Sequence, residues 1–309
     1  MSVVAISETF GSQGNEIGWE LSRSLGYEFA DREIIAKAAE RYGESVMDLH
    51  HVSEEKPTLW ERFSDSTRHY VSCIEATILE MAARDEAVLV GHGAAIILRE
   101  IPHVLRVRVG ASESLRATRA QQRQGFATGE AALELVREVD RERAARIKFL
   151  YHVDVDDPLL YDLVIDTDRM SVIDGVRIIR TTLEGEFARP SLRSLALARD
   201  ASVVAQTQAC LLVDPATRGL RPAVTAEGGR VTVAGMVDSD ELRDRVIGMA
   251  RGIPRRGRRH RRDGRHAHHA RLRDVSDGDH TTRSNSSAMR WLKAAGSGSW
   301  PPSARIAWP

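Results

Sequence analysis

Short apolar runs alternate with long amphipathic stripes through the first 188 residues of the chain. Residues 3–6 are apolar, mostly β-branched, and stop at a glycine-containing turn. Residues 16–25 then place Ile17, Leu21 and Leu25 at helical spacing. Residues 34–41 and 66–84 also read as helices, the second with Ile74, Ile78 and Met81 on one face. Residues 87–90 and 104–109 are strand-like, and residues 112–124 and 128–151 are helical. A last buried strand at 163–166 leads to a helix over 171–187. Buried strands alternating with helices predict an α/β fold with a parallel sheet covered by helices on both faces.

The pattern breaks at Arg189 and Pro190, so residues 1–188 are read as one domain and 189–200 as a linker. A smaller unit follows over 201–254: a helix, a run at 223–226, a Gly228-Gly229 turn, a run at 231–234 and a helix over 239–251. Two short runs across a Gly-Gly turn predict a β-hairpin, and hence a small α+β unit. Residues 255–309 open with RRGRRHRRDGRHAHHARLR and continue rich in Ser, Gly and Pro. So little apolar surface predicts a disordered basic tail.

Composition changes this picture only in part. The apolar share of 42% is ample for a core, and 44 basic residues balance 44 acidic ones. Whole-chain charge therefore points to no polyanionic partner, and nucleic acid is expected only non-specifically, at the tail's arginines. The five histidines from His260 to His280 lack orderly ligand spacing, and no metal site is expected. Cys73 and Cys210 read as reduced thiols rather than a disulfide. The start has no basic region followed by an apolar one, and no run reaches the ~20 apolar residues of a membrane span. The expected location is cytoplasmic.

The candidate chemistry lies in ISETFGSQGNEIG, residues 6–18. A strand enters a Gly-rich turn and a helix leaves it, which aims unpaired backbone N–H groups and the positive helix end at one point. Gly11, Ser12, Gln13, Gly14, Asn15 and Glu16 are the residues of this candidate phosphate cradle. The spacing of Gly11, Gly14 and Gly18 is not G-x-G-x-x-G, which argues against a dinucleotide-binding oxidoreductase.

This opening, extended through GWELSRSLGYEFADREII, resembles the cytidylate-kinase-like family, relatives of the P-loop nucleoside monophosphate kinases. Further ordered likenesses are VLVGHGA at 88–94, LRATR at 115–119, VDRER at 139–143 and YDLVIDTD at 161–168. The resemblance spans residues 1–187 and implies transfer of the γ-phosphoryl group of ATP, with Mg²⁺, to CMP or a similar pyrimidine nucleotide. It implies catalytic roles for Arg119, Asp140 and Arg143, the last two on a lid helix. It also implies acceptor contacts from Asp31, His92 and Arg116. Read on spacing alone, Arg116, Arg119 and Arg123 share a helix face. Asp31 also suits a helix N-cap.

Departures from the family pattern are as informative. Gly14 and Asn15 stand where a standard P-loop has Lys and Ser or Thr. Glu8, Asn15 and His92 replace arginines common in the family. A carboxylate ~5 Å from a phosphate charge costs about 3 kcal/mol at an effective dielectric of about 20, unless Mg²⁺ offsets it. These losses motivate an alternative, a weak or inactive nucleotide sensor acting through the C-terminal unit. That unit resembles a BON domain, on LLVDP at 211–215, GRVTVAGMVDS at 229–239 and ARGIP at 250–254. The resemblance implies phospholipid or another ligand there. Its closing strand is missing, and a shifted reading frame after Pro254 would explain both that loss and the tail.

Overall fold

The computed structural model describes residues 2–47, 65–124, 126 and 128–253. The tail, and the place where a closing strand was expected, lie outside these residues. Five strands form one parallel sheet: β1 (Val3–Glu8), β2 (Glu28–Ala30), β3 (Ala87–Val90), β4 (Val104–Gly110) and β5 (Leu163–Asp166), in the order β2-β3-β1-β4-β5. Only β2 has no counterpart in the sequence reading. Three residues, one of them exposed, give no two-residue alternation to read.

Alternation along the strands builds two cores. Val3 and Ala5 of β1, with Ala87 and Leu89 of β3, face α2 (Glu33–Tyr42), α3 (Asp65–Ala83) and α4 (Ala94–Ile97). Val4 and Ile6, with Val88, Val90, Val107 and Val109, face the other way. There they meet Ile17 and Leu21 of α1 (Gly14–Leu25) and, further on, Ile179 of α7 (Val172–Leu183). Both faces of β1 are fully buried, which is why the run at 3–6 shows no polar alternation.

Between β4 and β5 lie α5 (Glu113–Gln124) and the long α6 (Gly129–Tyr151), which pack on each other through Ala117, Ala120, Ala132 and Val136. Thr128 caps α6, its side chain accepting the Ala131 amide.

The C-terminal region differs from the expected layout. Residues 192–200 are not a linker but the first turns of α8 (Leu192–Val213), capped at Ser191 by a reciprocal bond with Ser194. One face of α8 carries Ala198, Ala205 and Ala209 into the core beside α3. The other carries Leu211 against Val224 and Val246. The hairpin is as expected: β6 (Ala223–Glu227) pairs antiparallel with β7 (Arg230–Ala234) across Gly228 and Gly229, both at positive φ. Asp200 of α8 accepts both turn amides, each at 2.7 Å. The last helix, α9 (Asp240–Gly252), packs on α8. Residues 201–254 thus share α8 with the large domain, and their sheet has two strands among the described residues. No helix among the described residues is long and apolar enough to cross a membrane.

Candidate active site

At the C-terminal ends of β1, β2 and β3 the chain leaves the sheet by three turns, and a cavity of about 340 Å³ opens between them and α6. Ser7, Glu8 and Thr9 form one wall, Asp31 and Gly91-His92-Gly93 a second. Asp140, Arg143, Ala144, Ile147 and Tyr151 form the third, three and four residues apart along one face of α6.

The turn after β1 is tightly determined. Gly11 has φ 80° and Gln13, the residue before α1, φ 67°, so the chain passes through left-handed backbone twice. His92 is also left-handed, at φ 52° between two glycines. Such non-glycine positions cost roughly 1–3 kcal/mol and gather where function holds them. The Ser12 side chain is fully buried and donates to the Val109 carbonyl at 3.0 Å, so it fastens the loop to β4. Gln13 makes no side-chain cap. Instead the Asn15 amide donates to Glu8 Oε2 at 3.0 Å, and the Asn15 side chain donates to Asp31 Oδ2 at 2.5 Å. His92 Nε2 lies 3.7 Å from Asp31 Oδ1.

Burial pushes the Glu8 carboxyl up to about 7, against the opposing pull of Arg143 and the Asn15 amide. Glu75 of α3 is likewise pushed up to about 7 by burial, and it hydrogen-bonds Tyr151. Arg108 of β4 donates to Ser7 Oγ and to Asp156 Oδ1, each at 2.8 Å, and lies over the Tyr161 ring.

Three of the expected site residues hold contacts within the fold. Arg116 lines the cavity, but its side chain is only 6% exposed and it is fully engaged: it donates to the carbonyls of Ala111 and Phe10 and pairs with Asp140. Asp140 accepts the Phe10 amide at 2.9 Å and holds Arg116, tying α6 to the phosphate loop. Arg119 turns from the cavity, donating to Thr167 Oγ1 at 3.0 Å and to the Thr167 carbonyl at 2.8 Å. It also reaches the Gly11 carbonyl at 3.4 Å, on the outer side of the loop. Glu16 pairs with Arg123. Asp31, His92, Asp140 and Arg143 do meet around one cavity, beside the loop that Gly11–Glu16 forms.

Arg108, Arg146 and Tyr151 also line the cavity and went unread. Arg108 carried a usable signal, being with Arg106 one of two cations inside a largely apolar strand. Arg146 and Tyr151 carried one in their spacing from Arg143, but the stripe there reads equally as an ordinary buried helix face.

Residues 3–169 match the Cytidylate kinase-like family. The chain belongs to that family. A protein named cytidylate kinase from Pyrobaculum calidifontis is 29% identical over 194 residues, which are 61% of this chain and 98% of the relative. One of the same name from Pyrobaculum aerophilum is 30% identical over 181 residues, 58% of this chain and 90% of the relative. A shikimate kinase from Bacteroides thetaiotaomicron, of solved structure, has a TM-score of 0.40 at 14% identity over 60% of this chain. The family match ends at residue 169, and the BON resemblance of residues 201–254 has no counterpart in these relatives. The matched residues 3–169 hold the parallel sheet, the loop and α6.

Proposed function

We propose that this chain is a nucleoside monophosphate kinase, transferring the γ-phosphoryl group of MgATP to CMP or a related pyrimidine nucleotide. The observation that carries the reading is the cavity itself. It sits at the end of β1, against the Gly-rich loop, with Arg108, Arg143 and Arg146 on one side and Asp31 and His92 on the other. Phosphoryl transfer requires positioning and neutralisation of charge more than covalent chemistry, and arginines around an enclosed site serve both needs.

In this reading the donor phosphates lie over the loop from Gly11 to Glu16, where the first turn of α1 presents its amides. The acceptor occupies the cavity, its hydroxyls toward Asp31 and its phosphate within reach of Arg143. Asp140 and Arg116 hold α6 in register with the loop. In this reading magnesium enters with the nucleotide, held by phosphates and water. Glu8 in the loop is the feature that favours the sensor alternative; the relatives, all named as kinases, give that alternative no support.

The test is a coupled ADP-release assay with CMP, dCMP, UMP and AMP. Release that depends on a pyrimidine monophosphate supports the reading. Tight nucleotide binding without release under any acceptor supports the sensor.

A further inference from the structure

Glu8 ends β1 with its side chain turned into the phosphate loop. Its Oε2 accepts the Asn15 amide, and its Cβ and Oε2 occupy the space a side chain on Gly14 would need, each 2.7 Å from that ideal Cβ. Arg143 of α6 acts on it from across the cavity, and Glu16 of α1 and Asp31 after β2 add negative charge. The remaining charged or titratable groups of the walls are Arg108, Arg116, Arg146, His92, Asp140, Tyr151, Asp156 and Glu113. A carboxylate of the chain therefore already takes what an incoming phosphate needs, the bond of a helix-start amide and the field of an arginine.

We propose that Glu8 is a proton-linked occupant of the phosphate loop, which gives up the Asn15 amide and Arg143 to a nucleotide phosphate as its carboxylate takes a proton from solvent. Nucleotide binding then carries a proton onto Glu8. The coupling rests on the nucleotide-binding reading above and adds its regulation by pH. A phosphate charge ~5 Å away, at an effective dielectric of about 20, raises the proton affinity of a carboxylate more than about a hundredfold. Burial already holds the Glu8 carboxyl up to about 7, so the linkage falls near neutral pH. The rival account leaves Glu8 ionised, its repulsion offset by the magnesium that arrives with the nucleotide.

The experiment is titration calorimetry of the full chain with MgATP, in buffers of different ionisation enthalpy, from about pH 6 to about pH 9. Glu8→Gln runs in parallel and cancels any proton taken up by the nucleotide itself. Near pH 8 the wild type should take up roughly half to one proton more per MgATP than Glu8→Gln. Its Kd, relative to that of the variant, should rise up to about tenfold per pH unit above about 7. Equal uptake by the two proteins overturns the coupling and favours the rival account. Absence of MgATP binding by both at every pH removes the nucleotide-binding reading, and the coupling with it. A second readout needs no variant: carboxyl-carbon NMR of Glu8 in the wild type, free and with MgATP. Its titration should move upward on binding, and one that stays or moves downward contradicts the proposal.

Discussion

At the residue scale the site turns on which arginine borders the cavity beside Glu8. Arg116 and Arg119 donate to backbone carbonyls, and Arg143 lines the cavity and pulls on the Glu8 carboxylate. Arg143→Ala is therefore expected to lower turnover by about 10²–10³-fold with a smaller change in ground-state affinity, as for a contact strongest in the transition state. Steady-state kinetics beside exposed Arg141→Ala checks it; equal losses from both would mean a diffuse basic surface. Burial at Glu8 and Glu75 has a consequence for stability. Each carboxyl is raised from 4.5 to about 7, so the fold favours its protonated form. The stability each contributes is full below about pH 4.5 and lost as pH rises through about 7, at most about 3 kcal/mol apiece. Glu8→Gln should thus melt higher than the wild type near pH 8 and level with it near pH 4.5. A gap unchanged between those pH values would contradict the assignment. The sequence showed Glu8 to be an odd charge in the loop, but not which partner it takes. That depended on Asn15 and Gly14 closing around it in the folded chain.

The elements were the most legible level, and the reasons are specific. The apolar runs at 3–6 in β1 and 87–90 in β3 are continuous because both faces are covered there, and α1 carried its Ile17-Leu21 stripe openly. What periodicity could not give was the joint between elements. The contact of α6 with the phosphate loop consists of Asp140 reaching the Phe10 amide and Arg116, three groups far apart in sequence. Asp140 and Arg116 form a coupled, mostly buried pair. Arg116→Ala is expected to destabilise the fold by about 3 kcal/mol, because it strands a carboxylate and two carbonyls. The Arg116→Ala, Asp140→Ala double variant should lose clearly less than the sum of the two single losses. Additive losses in denaturant unfolding would mean the pair is incidental. A side chain on Gly14 would strike Glu8 and Val109, so its substitution disturbs the loop through Glu8.

For the whole molecule, the C-terminal boundary was the least legible feature. Arg189 and Pro190 look like a linker, yet α8 begins directly after them and buries Ala198, Ala205 and Ala209 in the large core. Small residues give a weak apolar signal, although they let α8 approach α3 closely. A fragment ending at residue 190 would strip that cover from α3. Residues 1–253 are expected to melt cooperatively, and residues 1–190 at a clearly lower temperature or with aggregation; equal melting would mean that α8 is dispensable. A fragment from residue 201 lacks the first half of the same helix and should fold poorly, with only two strands to stabilise it. The claim that joins all three scales is phosphoryl transfer at the cavity beside the loop. Its most direct measurement is product analysis after incubating the full chain with MgATP and CMP, with Arg143→Ala as control. CDP and ADP formed in equal amounts, and largely lost in the variant, are the expected result. ADP without CDP, or no ADP with any nucleoside monophosphate, would contradict the account.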